Sequence, residues 1–423
     1  MLSPRSPYDV VVVGLGLAGL TAALAAASRG ARVLALGKGY GTTHFRSGTV
    51  DVLGYLKGRP VGSPRAALAE LAATRPQHPY ACLAGHVEEA LSFLRDVARR
   101  GGVELQGDLD EPRLVATAAG TLRPTCLAPA SLLGAWEGAR VLAVGLRGFR
   151  DFDPELFAAV LPTVAARLGL EVTVQPAKLS LAPLARRHLD GPGLARLLDR
   201  PALRRQLTEA LGPLARGYTL VALPAVLGLE AATSAALAAE LGPIVELPTL
   251  PPSVPGVRLQ QVLERVLRER GGRVQIGVEA RLEHMTGRAR SLELKAAGRR
   301  LRMPVRSVVL ATGGMASGGL RLDPSGAVVE PAANLPVAQP PGPPERWFRE
   351  RFLGGCGQPI DLAGVRADAD MRPLDADGRV VLENVFVAGG LLAGAERSLE
   401  RSADGIACAS GYVAGVQAAE AAT

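Results

Sequence analysis

The chain has 423 residues, 48% of them apolar and 21% charged, which is enough apolar material for a large core and too little charge for a disordered polymer. Aromatics are only 4%, and the net charge of +8 (48 Lys plus Arg against 40 Asp plus Glu) is spread without a basic run, so no nucleic-acid partner is expected. Lysine occurs only as Lys38, Lys57, Lys178 and Lys295; arginine carries the positive charge, and arginine suits an anionic small substrate. Cys82, Cys126, Cys356 and Cys408 are scattered, so no metal or iron–sulfur ligand set is read and a reducing cytoplasm is expected.

Tyr8 to Val13 is a continuous β-branched run, the pattern of a parallel strand buried on both faces. Gly14 to Gly19 then predicts a turn, an Ala/Leu-rich helix runs to about Ser28, and Arg32 to Leu36 is a second strand. No leader segment is read before this unit, and no stretch elsewhere is apolar for the length of a membrane span. Helical segments follow at Arg65–Ala73, His86–Arg100 and Ala231–Leu241, and prolines at 248, 251, 252 and 255 mark a break. Leu259–Arg270 predicts an amphipathic helix. Strand-like segments follow at Arg273–Val278, Ser291–Ala296 and Ser307–Ala311, then a proline-rich loop at 331–344. Asn384–Ala388 predicts a last buried strand and Ala403–Ala419 a last helix with small residues along it. The expected architecture is α/β: a Rossmann-like parallel sheet for a flavin or nicotinamide nucleotide, split between residues 1–57 and 255–423, with an α+β capping domain inserted at 58–254.

The GxGxxG turn is Gly14-Leu15-Gly16-Leu17-Ala18-Gly19. Its first glycine allows the tight turn, the second lets backbone approach a pyrophosphate, and the third lets helix and strand pack closely. The helix amides after Gly16, at Leu17 and Ala18, face the anion. An acid is expected some twenty residues on, at the end of the second strand, to hold the adenosine ribose; that stretch reads Leu36-Gly37-Lys38, and Lys38 offers a charge for a phosphate instead. A second turn, Ala311-Thr312-Gly313-Gly314, ends the strand Val308–Leu310 and brings backbone close to a cofactor. A third, Gly389-Gly390, ends NVFVAGG, where a carboxylate usually meets the ribityl chain and here a glycine stands. Ser402 and Gly405 open the last helix, whose amide end suits the flavin N1–C2=O edge. The loop Thr42–Leu53 carries His44, Arg46, Ser47 and Gly48, candidates for contact with an isoalloxazine ring or an anionic substrate, with loop-carbonyl hydrogen bonding as the bland alternative.

These residues resemble the B subunit of anaerobic glycerol-3-phosphate dehydrogenase. The resemblance lies in the glycine-rich start, in His44-Phe45-Arg46-Ser47-Gly48 followed by Val50-Asp51-Val52-Leu53, in ATGG at 311–314, and in NVFVAGGLLAG followed by GIACASGYVAG. It runs nearly end to end, most loosely over 101–254. It implies oxidation of sn-glycerol 3-phosphate to dihydroxyacetone phosphate and electron transfer to quinone. It also implies a sister flavoprotein subunit and an iron–sulfur membrane-anchor subunit, which would hold the chain at the inner face of the cell membrane. FMN is the implied cofactor and FAD the alternative, since the GxGxxG turn is made for a pyrophosphate. His44 is the candidate base and Arg46 the candidate anion contact. Three readings stay open: a dehydrogenase subunit, a non-catalytic electron-relay or scaffold subunit of the same complex, and another flavin oxidoreductase of fumarate-reductase type.

Overall fold

The run after Tyr8 forms strand β1 (Val10–Val13), buried at every residue, and the glycine turn leads into helix α1 (Leu17–Ser28) and strand β2 (Val33–Gly37). The computed structural model describes residues 8–181, 189–285, 287–351 and 355–423. In chain order the other principal elements begin with strand β3 (Ala139–Leu146), helix α2 (Pro154–Arg167), strand β4 (Val172–Leu179) and helix α3 (Pro201–Ala215). Strand β5 (Leu220–Pro224), helix α4 (Ala231–Leu241), strand β6 (Ile244–Leu247) and helix α5 (Val254–Glu269) follow. Strands β7 (Arg273–Ile276), β8 (Ser307–Leu310) and β9 (Val385–Val387) and helices α6 (Arg397–Glu400) and α7 (Ala403–Glu420) complete the set.

Packing partitions the chain into two compact units: Met1–Thr42 with Asp51–Val97 and Leu263–Thr423, and Thr43–Val50 with Ala98–Val262. Changes in composition along the sequence predict divisions at 57 and 254 instead.

The first unit holds a five-stranded parallel sheet in the order β7-β2-β1-β8-β9. Helix α1 is covered over its first ten residues, because α7 lies against it at backbone distance. A Cβ on Gly411 would stand 2.3 Å from the Ala18 carbonyl oxygen, and one on Gly415 2.2 Å from that of Ala22. The four-residue spacing of these glycines puts both on one helix face. A three-stranded antiparallel sheet (Val278–Met285, Arg288–Ala296, Arg299–Pro304) belongs to the same unit.

Asp9 ties the start of this sheet together. Its carboxylate accepts from Arg32 Nε (3.0 Å) and NH2 (2.8 Å), from the Arg32 amide (3.0 Å) and from Arg306 NH1 (3.3 Å), spanning the ends of β1, β2 and β8. The Arg32 hydrogen bonds hold the Asp9 carboxyl down at about 2. A folded pKa below the unfolded one gives stability that is present above the ordinary carboxylate range and lost as pH falls through about 2. With a solvent-exposed partner the contribution is about 1 kcal/mol. Asp9→Asn is expected to lower stability by that amount at pH 7, and thermal melts taken down to pH 2 should show the deficit closing.

The second unit holds a four-stranded parallel sheet in the order β4-β3-β5-β6, with the helices between its strands supplying a shared apolar core. Two antiparallel ribbons flank it in sequence: Leu105–Gly107 with Leu127–Pro129, and Arg113–Ala116 with Leu122–Thr125.

Candidate functional site

The three glycines of the first turn answer to different demands. Gly14 has φ +122°, and a Cβ there would stand 2.1 Å from the Ala311 carbonyl oxygen. A Cβ on Gly19 would stand 1.9 Å from the Gly14 carbonyl oxygen. Protein backbone alone therefore requires both. Gly16 differs: a Cβ there meets only the Gly41 Cα, at 3.9 Å. Its bare face is not used by the protein. No side chain caps α1 at Gly16 and no acid stands in its first turn, so the amides of Leu17 and Ala18 start the helix without intrahelical partners. Beside this turn Thr312 Oγ1 is fully covered and makes no hydrogen bond. An open glycine face, an uncapped helix start and a waiting hydroxyl fit the phosphate end of a flavin nucleotide.

The two positions where acids are expected are closed by packing. A Cβ on Gly37 would lie 2.8 Å from Leu15 Cγ, so the leucine of the glycine turn occupies the space a carboxylate would need. Lys38 Nζ lies 2.9 Å from Glu279 Oε1, and that hydrogen bond holds the Glu279 carboxyl below its usual range. A Cβ on Gly390 would lie 2.9 Å from the Gly314 nitrogen, and one on Gly314 3.0 Å from the Gly390 oxygen. The second and third turns thus touch backbone to backbone. Gly389 (φ +70°) points the same way toward Ala18 Cβ, at 2.7 Å, and donates its N–H to Ser410 Oγ at 2.9 Å. Gly313 (φ +81°) sits over Ser317. Gly14 to Gly19, Ala311 to Gly314 and Gly389 to Gly390 are brought together in one place.

Ser402 stands at the start of α7 but does not cap it; its hydroxyl donates to Glu400 Oε2 at 3.0 Å. The Gly405 N–H goes to the Asp51 carbonyl at 3.0 Å, and a Cβ on Gly405 would strike the Tyr80 hydroxyl at 2.3 Å. Sequence reasoning missed the network behind this helix start. His78, fully buried, accepts the Tyr80 N–H on Nδ1 (3.1 Å), so Nε2 carries the proton toward Glu400 Oε2 (3.0 Å). Arg75 meets Glu400 Oε1 at 2.9 Å. Burial works to raise the Glu400 carboxyl, but the His78 and Ser402 hydrogen bonds and the Arg75 charge outweigh it and hold the group low. Residues 78 and 400 lie 322 positions apart, with no local motif to join them.

The loop of the second unit keeps its own company. His44 lies on the 3-10 turn Thr42–Phe45, edge-on to Phe45, and Arg46 is exposed. Gly48 (φ +74°) packs on the Pro255 carbonyl, and a Cβ on Gly256 would stand 2.1 Å from the Arg46 oxygen, so α5 clamps the loop backbone. Ser47 Oγ and Thr49 Oγ1 are 2.8 Å apart, and Arg123 NH2 donates to Thr49 Oγ1 at 2.8 Å. Arg123 is a second missed residue. It comes from the ribbon strand Leu122–Thr125, inside the stretch where the family resemblance is loosest.

A cavity of ≈ 300 Å³ in this unit, lined in part by Leu227, Ser234, Ala238, Glu246 and Arg258, contains none of the motif residues. Among the described residues no group of His, Cys, Asp and Glu could hold a metal ion, and no helix is long and apolar enough to cross a membrane.

A parallel sheet with three glycine turns gathered beside an uncapped helix start defines a flavoprotein oxidoreductase built on a nucleotide-binding domain. Residues 9–402 match the FAD binding domain family model. Over 406 residues the chain is 34% identical to the B subunit of anaerobic glycerol-3-phosphate dehydrogenase from Yersinia pseudotuberculosis, covering 92% of each chain. The namesake from Pectobacterium atrosepticum is 34% identical over 402 residues, again 92% of each. The chain belongs to this family of anaerobic glycerol-3-phosphate dehydrogenase B subunits. Among solved structures it is similar to 3-ketosteroid delta1-dehydrogenase from Sterolibacterium denitrificans, with a TM-score of 0.48 at 14% identity over 99% of this chain and 100% of that one.

Proposed function

We propose that the chain is the flavin subunit of a quinone-linked dehydrogenase that oxidises sn-glycerol 3-phosphate to dihydroxyacetone phosphate. The observation that carries this reading is identity along 92% of the chain with relatives named for that activity. Flavin at the glycine turns supplies the hydride acceptor. His44 takes the proton from the C2 hydroxyl as the C2–H bond is given up, leaving the ketone. Arg46 holds the phosphate of the substrate, and Arg123 keeps the Ser47 and Thr49 hydroxyls in place beside it. Residues 58–254 supply most of the capping, substrate-facing domain.

FMN is the proposed cofactor, because Leu15 and the Gly313–Gly314 backbone close the positions of both missing carboxylates. FAD is the alternative, favoured by the family model. Electrons leave through a sister flavoprotein subunit and an iron–sulfur subunit that anchors the assembly at the inner membrane face and delivers them to quinone.

Anaerobic mixing with glycerol 3-phosphate tests the reading. The flavin of the assembled complex should bleach in a single turnover, and His44→Ala and Arg46→Ala should slow bleaching at least roughly a hundredfold. A flavin that stays oxidised until the sister subunit is added, with both variants unimpaired, would assign this chain the relay role instead. Mass analysis of the released flavin decides between FMN and FAD.

A further inference from the structure

Arg397, the first residue of α6, is the one buried guanidinium near the gathered turns that the reading above leaves without a task. Its NH2 donates to the carbonyl oxygens of Gly389 (3.4 Å) and Leu392. Its Nε is fully covered and has no hydrogen-bond partner. Among the described residues no carboxylate forms an ion pair with it. Glu400, three residues on, is already engaged by His78, Ser402 and Arg75. Asp361 affects it through space but does not touch it. Burial lowers the guanidinium to about 10, so it is still charged at neutral pH. A covered cation with an idle N–H is costly unless an anion completes it.

The place of this cation suggests the anion. The carbonyl it grips belongs to Gly389, which packs on Ala18 in the first turn of α1, beside the open face of Gly16. Gly390, next along the chain, stands where a carboxylate is usual, so the acid is missing and a cation is present. That exchange suits a group more negative than a ribityl hydroxyl. We propose that Arg397 is the cationic contact for a phosphate monoester seated against the Gly389–Leu391 turn. The phosphate belongs either to a flavin mononucleotide or to the glycerol 3-phosphate substrate. The inference rests on the flavin reading above.

The test uses the full-length chain stripped of flavin and titrated with FMN and with riboflavin, which lacks the phosphate, following flavin fluorescence. Glycerol 3-phosphate is then titrated into the reconstituted protein, following the flavin spectrum. If the phosphate is that of FMN, Arg397→Met should cut the preference for FMN over riboflavin by roughly tenfold or more and leave substrate binding unchanged. If it is the substrate's, Arg397→Met should weaken glycerol 3-phosphate binding by a similar factor with FMN unchanged. Equal affinities in variant and wild type for all three ligands would overturn the proposal. Should Arg397→Met fail to fold, Arg397→Lys keeps the charge but loses the Nε donor, and a partial loss at one ligand is expected; none would overturn it. Flavin failing to bind wild type at all would sink the flavin reading, whatever Arg397 does.

Discussion

Gly19→Ala is expected to prevent accumulation of folded protein, whereas Gly16→Ala should fold normally and bind flavin at least roughly tenfold more weakly. The two glycines belong to one motif but face different atoms. The Gly19 methyl would stand 1.9 Å from the Gly14 carbonyl oxygen and 2.8 Å from its carbon, both backbone. Helix α1 cannot slide away, because Gly411 and Gly415 hold α7 against the carbonyls of Ala18 and Ala22. Overpacking with some freedom to relax costs about 1–3 kcal/mol, and here the relaxation is blocked, so the upper end or more is expected. The Gly16 methyl meets nothing nearer than 3.9 Å, and the φ of −81° suits alanine. Its stability should stay within about 0.5 kcal/mol of wild type. Soluble yield and melting temperature read the first variant, and flavin content per chain reads the second. A Gly16→Ala protein with full flavin affinity would remove the turn from the flavin site.

Arg258→Met is expected to destabilise the second unit by about 3–5 kcal/mol, because removing one partner of a buried ion pair leaves the other charge uncompensated. Arg258 NH2 reaches Glu246 Oε1 at 2.9 Å and NH1 reaches Oε2 at 2.5 Å, with Nε on the Gly228 carbonyl at 2.8 Å. Both side chains are almost wholly buried, at 5% and 1% exposure. In the variant Glu246 would keep only the Leu227 N–H, at 3.1 Å. Pairing Arg258→Met with Glu246→Leu should recover most of the loss, since an apolar pair of similar size needs no desolvated charge. Hydrogen exchange at the core strand Val141–Val144 is the appropriate measurement, because a chain of two units need not unfold in one step. About a hundredfold faster exchange is expected for the single variant. An unchanged rate would mean the pair contributes nothing to this core.

Much of the first unit was legible because its signals are local. A β-branched run, three glycines at fixed spacing and an Ala/Leu helix specify a strand, turn and helix within some twenty residues. The same holds for Ser307–Leu310 and Val385–Val387, apolar runs that end in glycine turns. The helix expected over Leu259–Arg270 begins earlier, at Val254, because Pro255 is tolerated in a first turn and Gly256 is needed there to clear Arg46. The parallel sheet of the second unit was not legible: its strands are separated by Gly/Pro loops, and pairing order is a long-range property.

The sequence by itself determined the class of the protein, since a nucleotide cradle is made of backbone and the glycines that permit it are visible as letters. It also settled the family, through a dozen residues around His44 and the three turns. Only the tertiary structure decided which glycine is left open to a ligand, why positions 37 and 390 carry no acid, and which cation lacks an anion. Leu15 over Gly37, Gly314 against Gly390 and Arg397 on the Gly389 carbonyl are contacts between segments brought together by the sheet and its packed helices. Side-chain type states what a residue is able to do, but burial and neighbours decide what it is left to do, and those exist only once the chain is folded.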